Sequence, residues 1–175
     1  AEKYFRKKME LLTSAGFDAL GIGSMEEPGF LREAGIELPM YFDQGMYSWN
    51  HLAGAAMERY GADRLTIPVE LNEREIRDSG VQGEMIVYGY LPMMISAQCI
   101  RKTTLGCSGK PEIMWLKDRK DMRFPVVNQC RFCYNTIYNS APLSLLGLSE
   151  QVTGLKPNAV RLNFTVEEPA AAGEI

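Results

Sequence analysis

Cys99, Cys107, Cys130 and Cys133 are the residues of this 175-residue sequence with the clearest chemical potential. They are separated by seven, twenty-two and two residues, and no other cysteine occurs in the chain. Thiolate is a soft ligand that holds zinc or the iron of iron–sulfur clusters. A structural zinc site made of four cysteines ordinarily uses two close pairs. Cys130 and Cys133 meet that pattern; Cys99 and Cys107 do not. The uneven set suits a [4Fe–4S] cluster whose ligands come from separate loops, with Ile100, Phe132 and Asn128 as apolar and amide-rich surroundings that would shield it. On spacing alone zinc stays an alternative, and so do unligated buried thiols, because free cysteine is a common core residue. The start, Ala1-Glu-Lys-Tyr-Phe-Arg-Lys-Lys8, has neither an apolar signal core nor an initiator Met. The expectation is an excised piece of a cytoplasmic protein, in a reducing compartment that disfavours disulfides.

The other chemistry-bearing residues follow from the place a parallel α/β fold puts them, at the carboxyl ends of its strands. That rule selects Ser24, Asp43 with Gln44, Glu70, and Tyr88 with Tyr90. Trp49, Asn50 and His51 open a helix whose N-terminus could meet an anion. Asn50 also reads as a simple helix cap, and Asp43 as a satisfied loop carboxylate. His51 is the single histidine, so a Ser-His-Asp or Cys-His hydrolase would depend on it alone. No Gly-x-Ser-x-Gly elbow or His-Glu-x-x-His occurs. Catalytic candidates are therefore Asp43, Asn50, Glu70 and, in the basic segment, Arg119.

The elements that must carry these groups alternate between helix and strand. Residues 3–15 predict an amphipathic helix with Phe5, Met9 and Leu12 on one face, Arg6, Lys7, Lys8 and Glu10 turned away, and Gly16 as its stop. Strands are expected at 17–24, 38–43, 64–71, 84–96 and 159–165, and helices at 26–34, 48–60, 73–78 and 143–151. In the helix at 48–60, Leu52, Ala55, Ala56 and Met57 form the expected buried stripe. Asn72 caps the next helix, with acids in its first turn. The period of roughly 25 residues and the near-continuous apolar strands predict parallel βα units. About five such strands fall short of the eight in a closed barrel of about 250 residues. The fold class is α/β, either an open sheet or part of a (β/α)8 barrel. Residues 1–165 read as a single domain with a cysteine-rich loop insertion at 97–140, and 166–175 as a flexible tail.

Hydrophobic residues make up 46% of the chain and charged residues 23%, ordinary globular values that argue against disorder and coiled coil. No run of about 18 apolar residues is present to form a transmembrane helix. The net charge of −3 hides an asymmetry: Arg101, Lys102, Lys110, Lys117, Arg119, Lys120, Arg123 and Arg131 face only Glu112, Asp118 and Asp121 within 101–131. A basic stretch on an acidic body suggests an anionic partner, RNA included; a solvated lysine-rich loop is the plain alternative.

Taken together, several segments resemble the peptidase U32, or collagenase-like protease, family. They are Glu70-Leu71, Glu84-Met-Ile-Val-Tyr-Gly-Tyr-Leu-Pro-Met-Met-Ile-Ser96, Cys99, Cys107, Leu116-Lys-Asp-Arg119 and Phe124-Pro-Val126. They continue with Cys130-Arg-Phe-Cys-Tyr-Asn135, Asn139, Arg161-Leu-Asn-Phe-Thr165 and Glu167. The likeness implies a (β/α)8 barrel of which this chain is the C-terminal portion, with the four cysteines as ligands of a [4Fe–4S] cluster. It implies oxygen-independent hydroxylation of RNA bases or of a quinone precursor, or, by the family name, peptidase activity. A zinc-stabilised binding domain is a third, non-enzymatic expectation. An unpaired half-barrel edge would also favour a homodimer.

Overall fold

The computed structural model describes residues 7, 8, 11, 12 and 14–175. Of the helix expected at 3–15, Phe5, Arg6, Met9 and Glu10 lie outside the described residues. Contacts group the chain into two compact units, residues 1–86 with 149–161 and residues 87–148 with 162–175. A single domain over 1–165 is the expectation from the sequence; contacts divide those residues between the two units.

The first unit is built on parallel strands. β1 (Leu20–Ile22), β2 (Met40–Phe42) and β3 (Arg64–Leu65) lie side by side in that order, with Leu20 opposite Met40 and Phe42 opposite Leu65. A parallel bridge from Thr66 to Glu84 continues the alignment to β4 (Glu84–Gly89). Parallel neighbours need crossover connections, and these are supplied by the helices Glu27–Glu33, His51–Tyr60 and Glu73–Ser79. The last begins with the expected cap. Asn72 Oδ1 accepts from the Glu75 N–H at 3.1 Å while the Asn72 N–H donates to Glu75 Oε2 at 2.8 Å, a reciprocal pairing that satisfies two helix-end donors.

Ile22, Leu31, Ile36, Phe42, Met46, Leu65 and Val81 form this unit's core. Burying each such side chain is worth about 1.5–3 kcal/mol. Of the stripe expected on the helix His51–Tyr60, Met57 packs against the core and the rest is displaced. Leu52 is 70% exposed and Ala55 and Ala56 also face solvent, whereas Gly54 is buried. A Cβ at Gly54 would stand 3.3 Å from Val81. The helix approaches along its least bulky line, and that choice turns Leu52 outward.

The second unit departs from the parallel pattern. The single strand expected at 84–96 is two strands, β4 and β5 (Pro92–Ser96). The break lies at Gly89, whose φ of +146° belongs to glycine and whose added Cβ would meet the Asn163 carbonyl oxygen at 2.4 Å. Gly89→Ala is expected to cost about 2 kcal/mol through backbone strain and overlap, read as a lower denaturant midpoint with unchanged slope. An unaltered midpoint would show that the backbone there is not constrained.

The region read as a loop insertion is largely an antiparallel sheet. β6 (Ile113–Lys117), β7 (Arg123–Gln129) and β8 (Tyr134–Tyr138) join β5 in the order β5-β8-β7-β6. Lys117 and Arg123 flank a tight turn in which Asp118 Oδ1 accepts from the Lys120 and Met122 N–H groups at 2.7 and 3.0 Å. The alternation of exposed and half-buried residues along β6 is the period-2 signal of a sheet with one solvated face.

Two further segments differ from expectation, while the strand expected at 159–165 is found at Ala159–Asn163. Residues 143–151 hold the short strand β9 (Leu143–Ser144), a turn of 3-10 helix and the start of the helix Ser149–Gly154. β10 (Ala159–Asn163) is next to β4 in strand order. Residues 166–175 contain the helical turn Pro169–Ala172, and Val166 is buried. Among the described residues no helix is long and apolar enough to cross a membrane.

Candidate metal centre

The antiparallel sheet explains how cysteines up to 34 positions apart reach one place. Ser96, at the end of β5, stands opposite Asn135; Gln129, at the end of β7, stands opposite Tyr134; Ile113, at the start of β6, stands opposite Val127. The connection 97–112 and the turn 130–133 therefore leave the sheet at the same end. Cys99 immediately precedes the helix Ile100–Thr104 and Cys107 follows that helix. Cys130 and Cys133 flank the tip of the β7–β8 hairpin. The Phe132 N–H bonds the Gln129 carbonyl at 3.0 Å, and Cys133 takes a left-handed φ of 57°.

Polar groups hold the connection against the sheet end. Asn135 Nδ2 and Ser96 Oγ both donate to the Gln98 carbonyl, at 2.6 and 3.3 Å. Arg101 Nε meets Glu112 Oε1 at 2.6 Å, and Ser108 Oγ donates to the same oxygen at 3.1 Å. The Asn128 N–H donates to the Glu112 carbonyl at 3.2 Å. The Cys130 thiol donates to the Lys110 carbonyl at 2.9 Å.

All four cysteines are free thiols. Loss of solvation pushes the Cys130 thiol up, and the neighbouring Cys107, Cys99, Glu112 and Cys133 add to the rise in that order. A negative charge on any of these groups opposes one on Cys130. The four thiols thus share one electrostatic neighbourhood. They do not share one ion-sized site: among the described residues no three His, Cys, Asp or Glu side chains are arranged to hold a metal ion. Of the expected shielding residues, Asn128 is buried, Ile100 is half-buried and Phe132 is exposed.

In the first unit the strand-end rule leads to an ion-pair cluster. Asp43 follows β2, where its Oδ1 accepts from the Gln44 N–H at 2.8 Å and from Arg161 Nη2 at 2.5 Å. Arg161 Nε stands 3.1 Å from Glu84 Oε1 without hydrogen-bond alignment, so that contact is ionic. Thr66 Oγ1 reaches the same Glu84 oxygen at 3.4 Å. Arg161 and Glu84 were not among the residues singled out for chemistry. The visible signal was a cation and an anion inside otherwise apolar strands, where charge is rare unless paired.

The remaining candidates are dispersed. Asn50 is the cap of the helix His51–Tyr60, its Oδ1 accepting from the Leu52 and Ala53 N–H groups at 3.0 and 2.9 Å. His51, Trp49 and Glu70 are exposed, as is Arg119 in the β6–β7 turn. Ser24 lends its N–H to Glu27 at 3.3 Å. Tyr88 is buried, and burial first, then the charge of Glu167, lifts its hydroxyl pKa; Tyr90 is half-buried.

A mixed α/β protein with parallel strands in one unit and four free thiols on an antiparallel sheet in the other is the class that fold and site define. The model of peptidase family U32 matches residues 2–163, and the chain belongs to that family. No curated protein and no solved structure matches it.

Proposed function

We propose that this chain is part of an iron–sulfur enzyme that hydroxylates bases of structured RNA without dioxygen, with Cys99, Cys107, Cys130 and Cys133 as ligands of a [4Fe–4S] cluster. The observation that carries the reading is the delivery of four free thiols to one end of one sheet. The uneven spacing, with Cys130 and Cys133 as the one close pair, favours a cluster over zinc. Bound there, a cluster would supply redox capacity beside the substrate; turning a base C–H into C–OH removes two electrons from the base, and the oxygen donor would take them up. The parallel strands support reading the first unit as part of a (β/α)8 barrel.

The exposed face of β6 and β7 favours RNA as the partner. Trp115 is 54% exposed, and the next outward residue, Lys117, stands directly opposite Arg123. Like charges in register destabilise a sheet; here Asp121 meets Lys117 at 2.8 Å and offsets part of that cost. At the hairpin tip the Arg131 guanidinium lies 6.0 Å from the centre of the exposed Phe132 ring. Cations beside exposed aromatic side chains suit phosphates and unstacked bases.

Lys117→Glu with Arg123→Glu is expected to weaken RNA binding across sequences and to flatten its salt dependence by about one to two phosphate contacts. A fluorescence-anisotropy titration over a salt series reads both. Unchanged affinity and slope would remove this surface from the reading. The reaction itself is tested by mass spectrometry of ribosomal and transfer RNA from cells with and without the gene. A base lighter by one oxygen only in the deletion supports hydroxylation, and identical RNA rejects it.

The family description supports a second reading, a peptidase. His51 is the one imidazole available as a base, and it is exposed at the first turn of a helix in the first unit. Cleavage of a collagen-like peptide, abolished by chelation and restored by added metal, would establish that activity instead.

A further inference from the structure

The register of the four-stranded antiparallel sheet shows which side chains share its open face. Residues directly opposite one another in such a sheet project to the same side. Met114 stands opposite Val126, and Val126 opposite Ile137; Val126 is fully buried, so that side is covered. The other side carries the row Ile113, Val127, Thr136 and Ile95, one residue from each strand. Ile113 is 44% and Ile95 71% exposed. Two positions further along β6, the exposed Trp115 belongs to the same face, and Lys117 follows opposite Arg123. An open indole therefore lies between an apolar row and a pair of cations.

Charge indicates the kind of partner that would seat there. From Lys117 to Arg123 the hairpin carries Lys117, Arg119, Lys120 and Arg123 against Asp118 and Asp121. Asp121 pairs with Lys117 at 2.8 Å, and Asp118 turns an oxygen to the Lys120 and Met122 N–H groups. Among the described residues Arg119 and Arg123 have no carboxylate partner. An anionic partner complements that surplus. The indole narrows the choice. A nucleic-acid duplex keeps its bases stacked inside and presents mostly backbone, whereas an unpaired base offers a flat face to an aromatic ring. A lipid surface would call for apolar side chains where the hairpin leads. Its tip is Asp118-Arg-Lys-Asp121, and Trp115 sits back on the strand.

We infer that Trp115 stacks an unpaired base of a single-stranded RNA segment while Lys117, Arg119 and Arg123 take the phosphates beside it. The inference rests on the RNA reading above and adds the form of RNA this face selects, a loop or single strand in preference to a helix. Every base has a π face, so the contact grips a strand without reading its sequence. Ile113 offers apolar surface to the neighbouring base.

The test measures the full-length natural protein, Trp115→Leu and Trp115→Phe by fluorescence anisotropy against labelled RNAs of about 12 nucleotides. The RNAs are a single strand, the same strand with abasic riboses, and a duplex. Leucine keeps an apolar side chain opposite Pro125, which is buried. Trp115→Leu is expected to bind the single strand about tenfold more weakly, and the abasic strand and duplex as the parent does. Trp115→Phe should recover most of the affinity. The single strand should also quench a part of the parent's tryptophan emission that Trp115→Phe lacks.

Trp115→Leu with the parent's affinity for the single strand overturns the stacking role and leaves a purely ionic RNA surface standing. Equal losses on all the RNAs also overturn it, because the ring would then support the fold and not a base. Should Trp115→Leu melt below the parent, the emission decides: no quenching specific to Trp115 overturns the inference. A parent that binds none of the RNAs overturns this inference and the RNA reading together. Trp115-dependent binding to vesicles of phosphatidylserine and phosphatidylcholine, with no binding to the single strand, replaces RNA by a membrane. Unmodified RNA in the mass spectrometry, with Trp115-dependent binding intact, removes hydroxylation and leaves the stacking site standing.

Discussion

Cys130→Ser, introduced into the full-length natural protein and purified without oxygen, is expected to abolish the iron content and broad visible absorption of the parent. The parent should carry about four irons per chain and the variant under a tenth of that. Cys130 is the informative choice because it is the half-buried thiol whose pKa the other three cysteines and Glu112 influence. Serine offers a harder and far less acidic oxygen in place of a soft thiolate.

The same substitution should leave the metal-free fold nearly unchanged. The Cys130 thiol donates one bond to the Lys110 carbonyl at 2.9 Å, and a serine hydroxyl can replace it, so the melting temperature of the metal-free protein should be unchanged. The split between lost iron and kept stability separates a ligand from a core residue. Ligation also requires removing a proton that the surroundings hold more tightly than usual. Loading should therefore strengthen as pH rises and release protons as it proceeds. A serine variant with the parent's spectrum and iron content would show that the four cysteines are not a metal site.

Arg161→Met is expected to destabilise the first unit by about 3 kcal/mol, read by denaturant titration. Its guanidinium serves two carboxylates at once, Asp43 at 2.5 Å and Glu84 at 3.1 Å. Methionine keeps the apolar stem and removes the charge, leaving two acids facing each other. The estimate sits at the low end for a broken ion pair because Asp43 retains 42% and Glu84 17% of its side-chain exposure, which admits solvent screening. For a chain of this size the melting temperature should fall by about 6–12 °C. Asp43→Asn and Glu84→Gln added to Arg161→Met should recover part of the loss, since neutral amides no longer need the cation. A triple variant no more stable than Arg161→Met would place the cost in packing of the arginine stem.

The cluster at Asp43 shows how a local rule succeeds in part. Strand ends in parallel sheets gather functional groups, and Asp43 was found that way. Its partners were hidden because Glu84 and Arg161 lie 41 and 118 positions away. Asn50 was legible as a cap because the chain needs only its next three residues to show it. The helix Glu73–Ser79 was legible for the same reason. Leu52, by contrast, belongs to a helix whose buried side was decided by Gly54 meeting Val81 and Leu65, a contact that no helical period contains.

The sequence by itself determined the family, the parallel βα organisation of the first unit and the identity of the four thiols as the residues to examine. The family follows from the matching segments, the parallel organisation from short-range periodicity, and the thiols from residue type. Only the tertiary structure decided that the strand expected at 84–96 breaks at Gly89, where the Asn163 carbonyl leaves no room for a side chain. It likewise turned the supposed cysteine loop into hairpins, and hairpin register carried Cys99 and Cys107 to the end of the sheet that bears Cys130 and Cys133. Asn128 became a buried amide with unmet hydrogen bonds in the same step. Which residues face one another across strands is a property of pairing between distant segments, and spacing along the chain does not contain it.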